Sequence, residues 1–448
     1  MQPMVAGERG PVERLALAAV AVAVAIAFAD SSVVVLALPE LYGRFHTTIV
    51  GVSWVVTAYN AAVAAVALAL VLVVHRAPAR RVLAGGIVVF VAASVACAAA
   101  QSLPFLVTAR TVQGAGAALL IAGALPLLGA HTWTTAGTFG AAVGPALGGV
   151  VTDAFDWRAI FAIQAPLAAA GLVAPLLARA DASLDEGWRP SLARTLRPNL
   201  CLGLLFGALV GVLFLAVLLV ITVWGYRPLA GAAIVSSLPA ATLAVRPLAR
   251  RLAARDAVFG GAALVALGLV ALALLPSSAV AYPMLALAFC GAGLGLAVPL
   301  LSNDALETGA EATRSGTLTT GIRHLGLVLA LAVIAPILAA DLPPAGHRAT
   351  LRATAVLLDA PVPLSQKVPV AIDVSHQFDR AQAGEVPDLA APFDAHGARS
   401  DVQLARTRDR LVATVEETMT RAFRRSFLFS AGLAAAALAA ALTLRRRA

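Results

Sequence analysis

Runs of about twenty apolar residues, each bounded by charge, proline or glycine, recur from Leu15 almost to the end of the chain. A helix of that length crosses the roughly 30 Å hydrocarbon core of a bilayer. In lipid every backbone amide and carbonyl must find its partner within the protein, and a helix satisfies its own. Repetition of this unit commits the chain to a bundle of membrane-spanning helices. Composition agrees: only 13% of the 448 residues are charged, against about 25% in soluble domains. That leaves too little polar material to coat a globular surface, and excludes both a soluble enzyme and a disordered chain.

The runs predict twelve spans, near 15–38, 49–74, 82–100, 104–130, 133–152, 158–178, 200–224, 229–253, 257–275, 279–302, 316–340 and 426–444. Ala27-Phe28-Ala29 before Asp30 mimics a leader cleavage site, but apolar character resumes at Val33, so a spanning helix is expected. The weakest separation lies between the fourth and fifth runs, where Gly129-Ala130-His131-Thr132 marks a turn. The corresponding organisation is a tail over 1–14, a six-helix bundle over 15–178, a cytoplasmic loop over 179–199, and helices seven to eleven over 200–340. A polar segment over 341–424 and the last helix with its tail over 425–448 complete it.

Charge orients the bundle. The chain carries 33 Lys+Arg against 24 Asp+Glu, a net +9. In a soluble protein this would suggest nucleic acid; here it reads as the basic excess of cytoplasmic loops, and no nucleic-acid partner is expected. Arg80, Arg81, Arg189, Arg194, Arg250 and Arg255 fall in loops following even-numbered helices, which places both termini inside and 341–424 outside. Leu404, Leu411, Val415 and Met419 recur at helical spacing, so an amphipathic helix is expected from about Val402 into the last span. His75-Arg76-Ala77-Pro78-Ala79-Arg80-Arg81 after the second helix is echoed by Arg250-Arg251-Leu252-Ala253-Ala254-Arg255 after the eighth. The repetition suggests two six-helix halves with a binding site between them.

An ionisable residue inside a membrane is expensive and by default marks function. Asp30, within the first helix, either carries a proton, since a carboxylic acid in apolar surroundings resists ionisation, or merely reaches the aqueous end or pairs structurally with an arginine. Arg110, near the start of the fourth helix, cannot shuttle protons, but it can bind and release a carboxylate; the alternative is an arginine snorkelling to water. Arg323 and His324 lie near the inner end of the eleventh helix, where a lone histidine is expected to be only solvated. Gly140, Gly144 and Gly148 repeat every four residues on the fifth helix beside Pro145 and Gly149. Such a ridge permits close helix approach, and the proline invites a kink, which suits a gate or plain packing. Trp54, Tyr59, Asn60 and Gln113 are the polar or aromatic groups available to line a cavity. Cys97, Cys201 and Cys290 all sit in apolar runs, so neither disulfide nor metal site is expected. No nucleotide-binding or hydrolytic motif is present, so no cofactor is expected and energy must come from a gradient.

These stretches resemble a known family. Asp30-Ser31-Ser32-Val33-Val34-Val35-Leu36-Ala37-Leu38-Pro39 is similar to the first-helix signature of drug:proton antiporters of the major facilitator superfamily, the branch usually built with fourteen helices. Leu106–Ala118, containing Arg110, Gln113 and Gly114, resembles its fourth-helix motif, and Gly140–Gly149 its fifth-helix antiporter motif. Arg323-His324-Leu325-Gly326 resembles its late-helix signature, and the external segment resembles that of actinobacterial members. The resemblance implies an all-α membrane fold of two pseudo-symmetric six-helix bundles, alternating access, and export driven by inward proton flow. In that reading Asp30 is the proton site, Arg110 assists coupling, and the glycine–proline helix guards against leak. The inner-loop motif departs from the family pattern: Val71 and Pro78 replace its glycines and His75 its aspartate, leaving Arg76, Arg80 and Arg81.

The expected function is a proton-coupled exporter of small hydrophobic or amphiphilic compounds in a bacterial cytoplasmic membrane. Its partners would be the lipid bilayer and a small substrate, and a monomer is expected. The alternatives are a dedicated metabolite exporter or facilitator, and a degenerate member acting as a membrane receptor or scaffold.

Overall fold

A computed structural model describes residues 10–73, 77–177, 192–249, 251–275, 278–306, 312–380 and 386–442, and among these it contains helices and no strand. Among the described residues ten helices are long and apolar enough to cross a membrane. One of them, Leu103–Ala154, is broken at Gly129, whose φ of 72° and ψ of 158° interrupt the helix. The break reverses the chain. Trp133 Nε1 donates to Ile121 O at 3.0 Å across twelve residues, which a straight helix would hold about 18 Å apart.

The crossing helices are α1 (Pro11–Val33), prolonged by a 3₁₀ turn into Leu38–Arg44, α2 (Ile49–Val73), α3 (Ala79–Ala98), α4 (103–128), α5 (130–154) and α6 (Trp157–Ala169), prolonged to Leu177. The second half comprises α7 (Leu192–Val217), ending in a π-helical turn at Leu218–Val223, α8 (Pro228–Ala249), α9 (Ala254–Ala273), α10 (Ala281–Ala305) and α11 (Ala312–Asp359). Then come α12 (Leu364–Arg380), α13 (Ala390–Ala395), α14 (Val402–Thr420) and the last apolar helix, α15 (Arg424–Leu442).

Local chemistry sets several of these boundaries. Pro11, Pro104 and Pro228 stand in first turns, where their missing amide is no loss. Asp156 caps α6 by accepting from the amides of Arg158 and Ala159, at 2.9 and 3.2 Å. Asp401 caps α14 in the same way. Small residues carry the interhelical packing: at Gly116 an added Cβ would meet the Phe90 amide at 2.5 Å, and at Gly123 the Leu83 amide, so α3 and α4 approach backbone to backbone. Exposed Leu72, Phe105, Phe155 and Leu176 cover the outer faces with apolar surface suited to lipid.

Two expectations change. Helix α11 does not stop near residue 340; it runs through Pro343 and Pro344 to Asp359, burying Ala345, Ala349, Ala353 and Leu357, and it packs against α14. The segment beyond is a small helical cap, and α14 passes through a 3₁₀ turn at Arg421–Phe423 directly into α15. Helix α7 begins at Leu192, inside the stretch read as a loop.

Candidate functional site

Two polar centres lie inside the bundle. The first belongs to the N-terminal half. Asp30 on α1 and Arg110 on α4 are both fully buried and form an ion pair through Oδ2 and one NH group of the guanidinium. The same NH group donates to Gln113 Oε1 at 2.7 Å, and Nε donates to Val55 O at 3.0 Å. The guanidinium carbon lies 4.2 Å from the centre of the Tyr59 ring and 5.5 Å from that of Phe161, so the cation is also held by aromatic faces. Gln113 in turn donates to Ser94 Oγ at 2.8 Å and to Gln164 Oε1 at 3.2 Å. Five helices thus fix one guanidinium. The second oxygen of Asp30 has no hydrogen-bond partner among the described residues, and neither has one Arg110 nitrogen. The carboxylate is therefore held from one side only.

The second centre spans the two halves. His324 on α11 shares a hydrogen bond of 2.7 Å between Nδ1 and Asn60 Oδ1 on α2. Asn60 Oδ1 also accepts from Ser31 Oγ at 2.9 Å, while Asn60 Nδ2 donates to Val56 O at 2.8 Å. That second bond fixes the amide, so Nδ1 of His324 is the donor. Phe28 stacks on His324 with ring centroids 6.4 Å apart and meets Trp133 edge-on at 5.5 Å. Beside it Arg323 donates to Ser302 Oγ on α10 and lies over the Phe206 ring on α7.

Between the halves lies a cavity walled by α1, α5, α7, α8, α10 and α11. Its lining runs from Val35 and Pro145 to Trp133, Arg246 and Ser302, toward the end bearing Arg80 and Arg81. At the opposite end the halves touch. A Cβ on Gly149 of α5 would collide with Ala232 of α8. Asp153 accepts from the Leu229 amide at 3.5 Å and lies 3.4 Å from Arg227.

The residues singled out in the sequence distribute unevenly over this geometry. Asp30 and Arg110 come together, which makes the arginine a buried partner rather than a snorkelling one. Gly140, Gly144 and Gly148 face α1, where added Cβ atoms would meet the carbonyl of Ala25, the hydroxyl of Ser32 and, at 2.5 Å, the carbonyl of Val33; Pro145 lines the cavity. The expected cavity residues need correction. Trp54 is 51% exposed and faces outward. Tyr59 and Gln113 belong to the ion-pair cluster, and Asn60 bridges behind the wall, so none of the four lines the space. His324 is corrected as well, being 4% exposed and lodged between the halves rather than solvated. Arg80 is half-buried and Arg81 exposed at the start of α3; Arg76 and His75 lie outside the described residues. Phe28, Ser31, Ser32, Trp133 and Phe206 were not foreseen, and neither was Gln164, although a glutamine inside an apolar run was a usable signal. Among the described residues no cluster of His, Cys, Asp and Glu could hold a metal ion.

Known proteins resemble this chain in sequence and in fold. The sequence profile of the Major Facilitator Superfamily matches residues 20–331. The drug efflux pump JefA of Mycobacterium tuberculosis is 34% identical over 172 residues, covering 36% of this chain, and the chain spans 34% of that pump's length. The multidrug resistance protein Stp of the same organism is 25% identical over 410 residues, 73% of this chain and 76% of its own. The lincomycin resistance protein of Streptomyces lincolnensis is 35% identical over 158 residues, 33% of each chain. Among solved structures, a bacterial homologue of the human lysosomal transporter Spinster, inward-facing and occupied, superposes with a TM-score of 0.65 over 97% of this chain and 98% of its own at 15% identity, a likeness of fold alone. This chain belongs to the Major Facilitator Superfamily and is a multi-pass membrane protein.

Proposed function

We propose that the protein is a proton-coupled antiporter of a bacterial cytoplasmic membrane, exporting small hydrophobic or amphiphilic compounds by alternating access. The observation that carries this reading is the fully buried Asp30–Arg110 pair, one residue along the chain from Ser31 in the cavity wall. Drug-efflux and antibiotic-resistance relatives support an exported small compound.

Asp30 is the group in this cluster to which the reading assigns the proton, because an arginine stays charged. Protonation removes the carboxylate's charge and with it the ion pair. Arg110 then keeps Gln113, the Val55 carbonyl and the Tyr59 ring, whereas Asp30 loses its hydrogen-bonded partner. Segment 28–32 of α1, which supplies Phe28, Ser31 and Ser32 to the wall, is thereby released from α4. A change in the wall that depends on one proton is what exchange requires: the proton-loaded and substrate-loaded states favour different walls. No bound cofactor enters this scheme; the proton gradient supplies the energy.

Everted membrane vesicles with an imposed pH gradient test the proposal. Gradient-dependent dye uptake by the wild type, lost in Asp30→Asn, is the expected result. Undiminished gradient-driven uptake by Asp30→Asn would refute the proton-site assignment.

A further inference from the structure

The cavity wall carries basic groups without acidic ones. Arg246, Arg323 and His324 line it, and among the described residues no aspartate or glutamate does. Asp30 does not compensate them, being buried against Arg110. The remaining wall is apolar, aromatic or hydroxylic, with Phe28, Trp133 and Phe206 as its rings.

Arg323 is the informative member. It is 7% exposed, yet among the described residues its partners are a neutral hydroxyl, Ser302 Oγ, and the Phe206 ring, 5.0 Å from the guanidinium carbon to the ring centre. Its Nε has no hydrogen-bond partner among the described residues. A guanidinium taken out of water without a counter-charge is costly. Arg110, buried in the same protein, has its carboxylate; Arg323 differs in facing the cavity.

We propose that the transported compound is an amphiphilic anion, with an aromatic or aliphatic body and a carboxylate head, that seats its head on Arg323 and its body among Phe28, Trp133 and Phe206. This rests on the transporter reading above and narrows its substrate class to acids. A carboxylate takes two donors from the edge of a guanidinium, and Nε, buried and without a partner among the described residues, is one donor of that edge. Phe206 covers one face of the guanidinium, so the approach is edge-on. Arg246, half-buried toward the open end, adds positive potential that concentrates anions at the mouth. A neutral amphiphile leaves Nε unsatisfied, and a cation meets two arginines, which rejects it by repulsion. The head also sits beside His324, whose bridge through Asn60 and Ser31 reaches the residue next to Asp30.

The test uses purified full-length protein in lipid nanodiscs, without a gradient, and three ligands sharing one ring system: 2-naphthoate, 2-naphthylmethanol and (2-naphthylmethyl)trimethylammonium. Equilibrium dialysis against empty nanodiscs should show 2-naphthoate binding at least about tenfold tighter than the other two, the scale of one hydrogen bond to a charged group. Arg323→Gln should abolish that preference, and Arg323→Lys should retain part of it. Equal or tighter binding of the ammonium compound, no naphthoate binding up to about 1 mM, or an undiminished preference in Arg323→Gln would overturn the proposal. The wild-type comparison stands even if Arg323→Gln fails to fold. Binding without a gradient also separates the two claims. Anion preference without Asp30-dependent transport counts against the antiporter reading alone. Asp30-dependent transport of the ammonium compound counts against the anion reading alone.

Discussion

The Asp30–Arg110 pair holds two charges away from water, and its members depend on each other unequally. Removing one partner of a buried pair costs about 3–5 kcal/mol, because the other charge is stranded. Arg110→Gln should therefore lower thermal stability strongly in a heated-sample size-exclusion assay. Adding Asp30→Asn to that variant should restore part of the loss, since the double substitution leaves no stranded charge; a double mutant no more stable than Arg110→Gln would show that the pair is not coupled. Both residues were legible as isolated charges inside apolar runs. Their pairing was not, because they are 80 positions apart and nothing local encodes which faces of α1 and α4 meet. His324 was misread for a related reason: hydropathy places a residue along a helix axis but does not say whether it faces lipid, water or another helix. Trp54 shows the converse error. In a helix apolar on every side, composition cannot tell the cavity face from the lipid face.

At the scale of elements, α5 presses its glycine ridge onto α1 so closely that Gly140 has no space for a methyl group against the Ala25 carbonyl. Gly140→Ala should lower both melting temperature and transport rate, while Gly85→Ala, whose added Cβ meets nothing within 4 Å, should change stability by no more than about 0.5 kcal/mol. Equal effects at the two sites would contradict the close-packing reading. Gly129 is a different case, since its positive φ, not its surroundings, demands glycine. Gly129→Ala should cost about 1–3 kcal/mol by straining the α4–α5 reversal, seen as a lower melting temperature. The external segment divides in its legibility. Helix α14 was visible in its three-to-four spacing of apolar residues. The continuation of α11 was not, because Pro343 and Pro344 ordinarily end a helix; packing against α14 overrides them. Within the cap, the hydrogen bond from Arg408, with Arg399 beside it, holds the Asp394 carboxyl below its ordinary range. A carboxyl lowered on folding stabilises the cap above its unfolded pKa, and that stability is lost as pH falls through the folded value. Hydrogen exchange over 390–420, corrected for intrinsic rate, should be flat from pH 8 down to about 5 and accelerate below about pH 4. Asp394→Asn should remove the acid limb; a persisting limb would assign it to other groups.

At the scale of the whole molecule, two helical bundles meet along α2 and α11, enclose a cavity, and touch at the end assigned to the outside through Gly149 against Ala232 and Asp153 against Leu229. If the halves rock, that contact must open in each cycle. A cysteine pair at Asp153→Cys and Leu229→Cys, oxidised in membranes, should stop transport, and reductant should restore it; Cys97, Cys201 and Cys290 are buried and do not compete. Full transport with the crosslink complete would contradict alternating access by this route. The two-bundle plan was legible because charge asymmetry and repeated basic loops are sequence-local. The cavity wall was not, being assembled from residues on six helices that lie far apart in sequence.

The central claim is that one proton at Asp30 drives one wall of the cavity. It is tested most directly by substrate-induced proton movement: purified protein in proteoliposomes enclosing a pH-sensitive dye, with no imposed gradient and substrate added outside. Wild-type protein should move protons opposite to substrate, Asp30→Asn should still bind substrate but move none, and the signal should vanish with protonophore. Substrate accumulation with no proton counterflow, or unchanged counterflow in Asp30→Asn, would contradict the account.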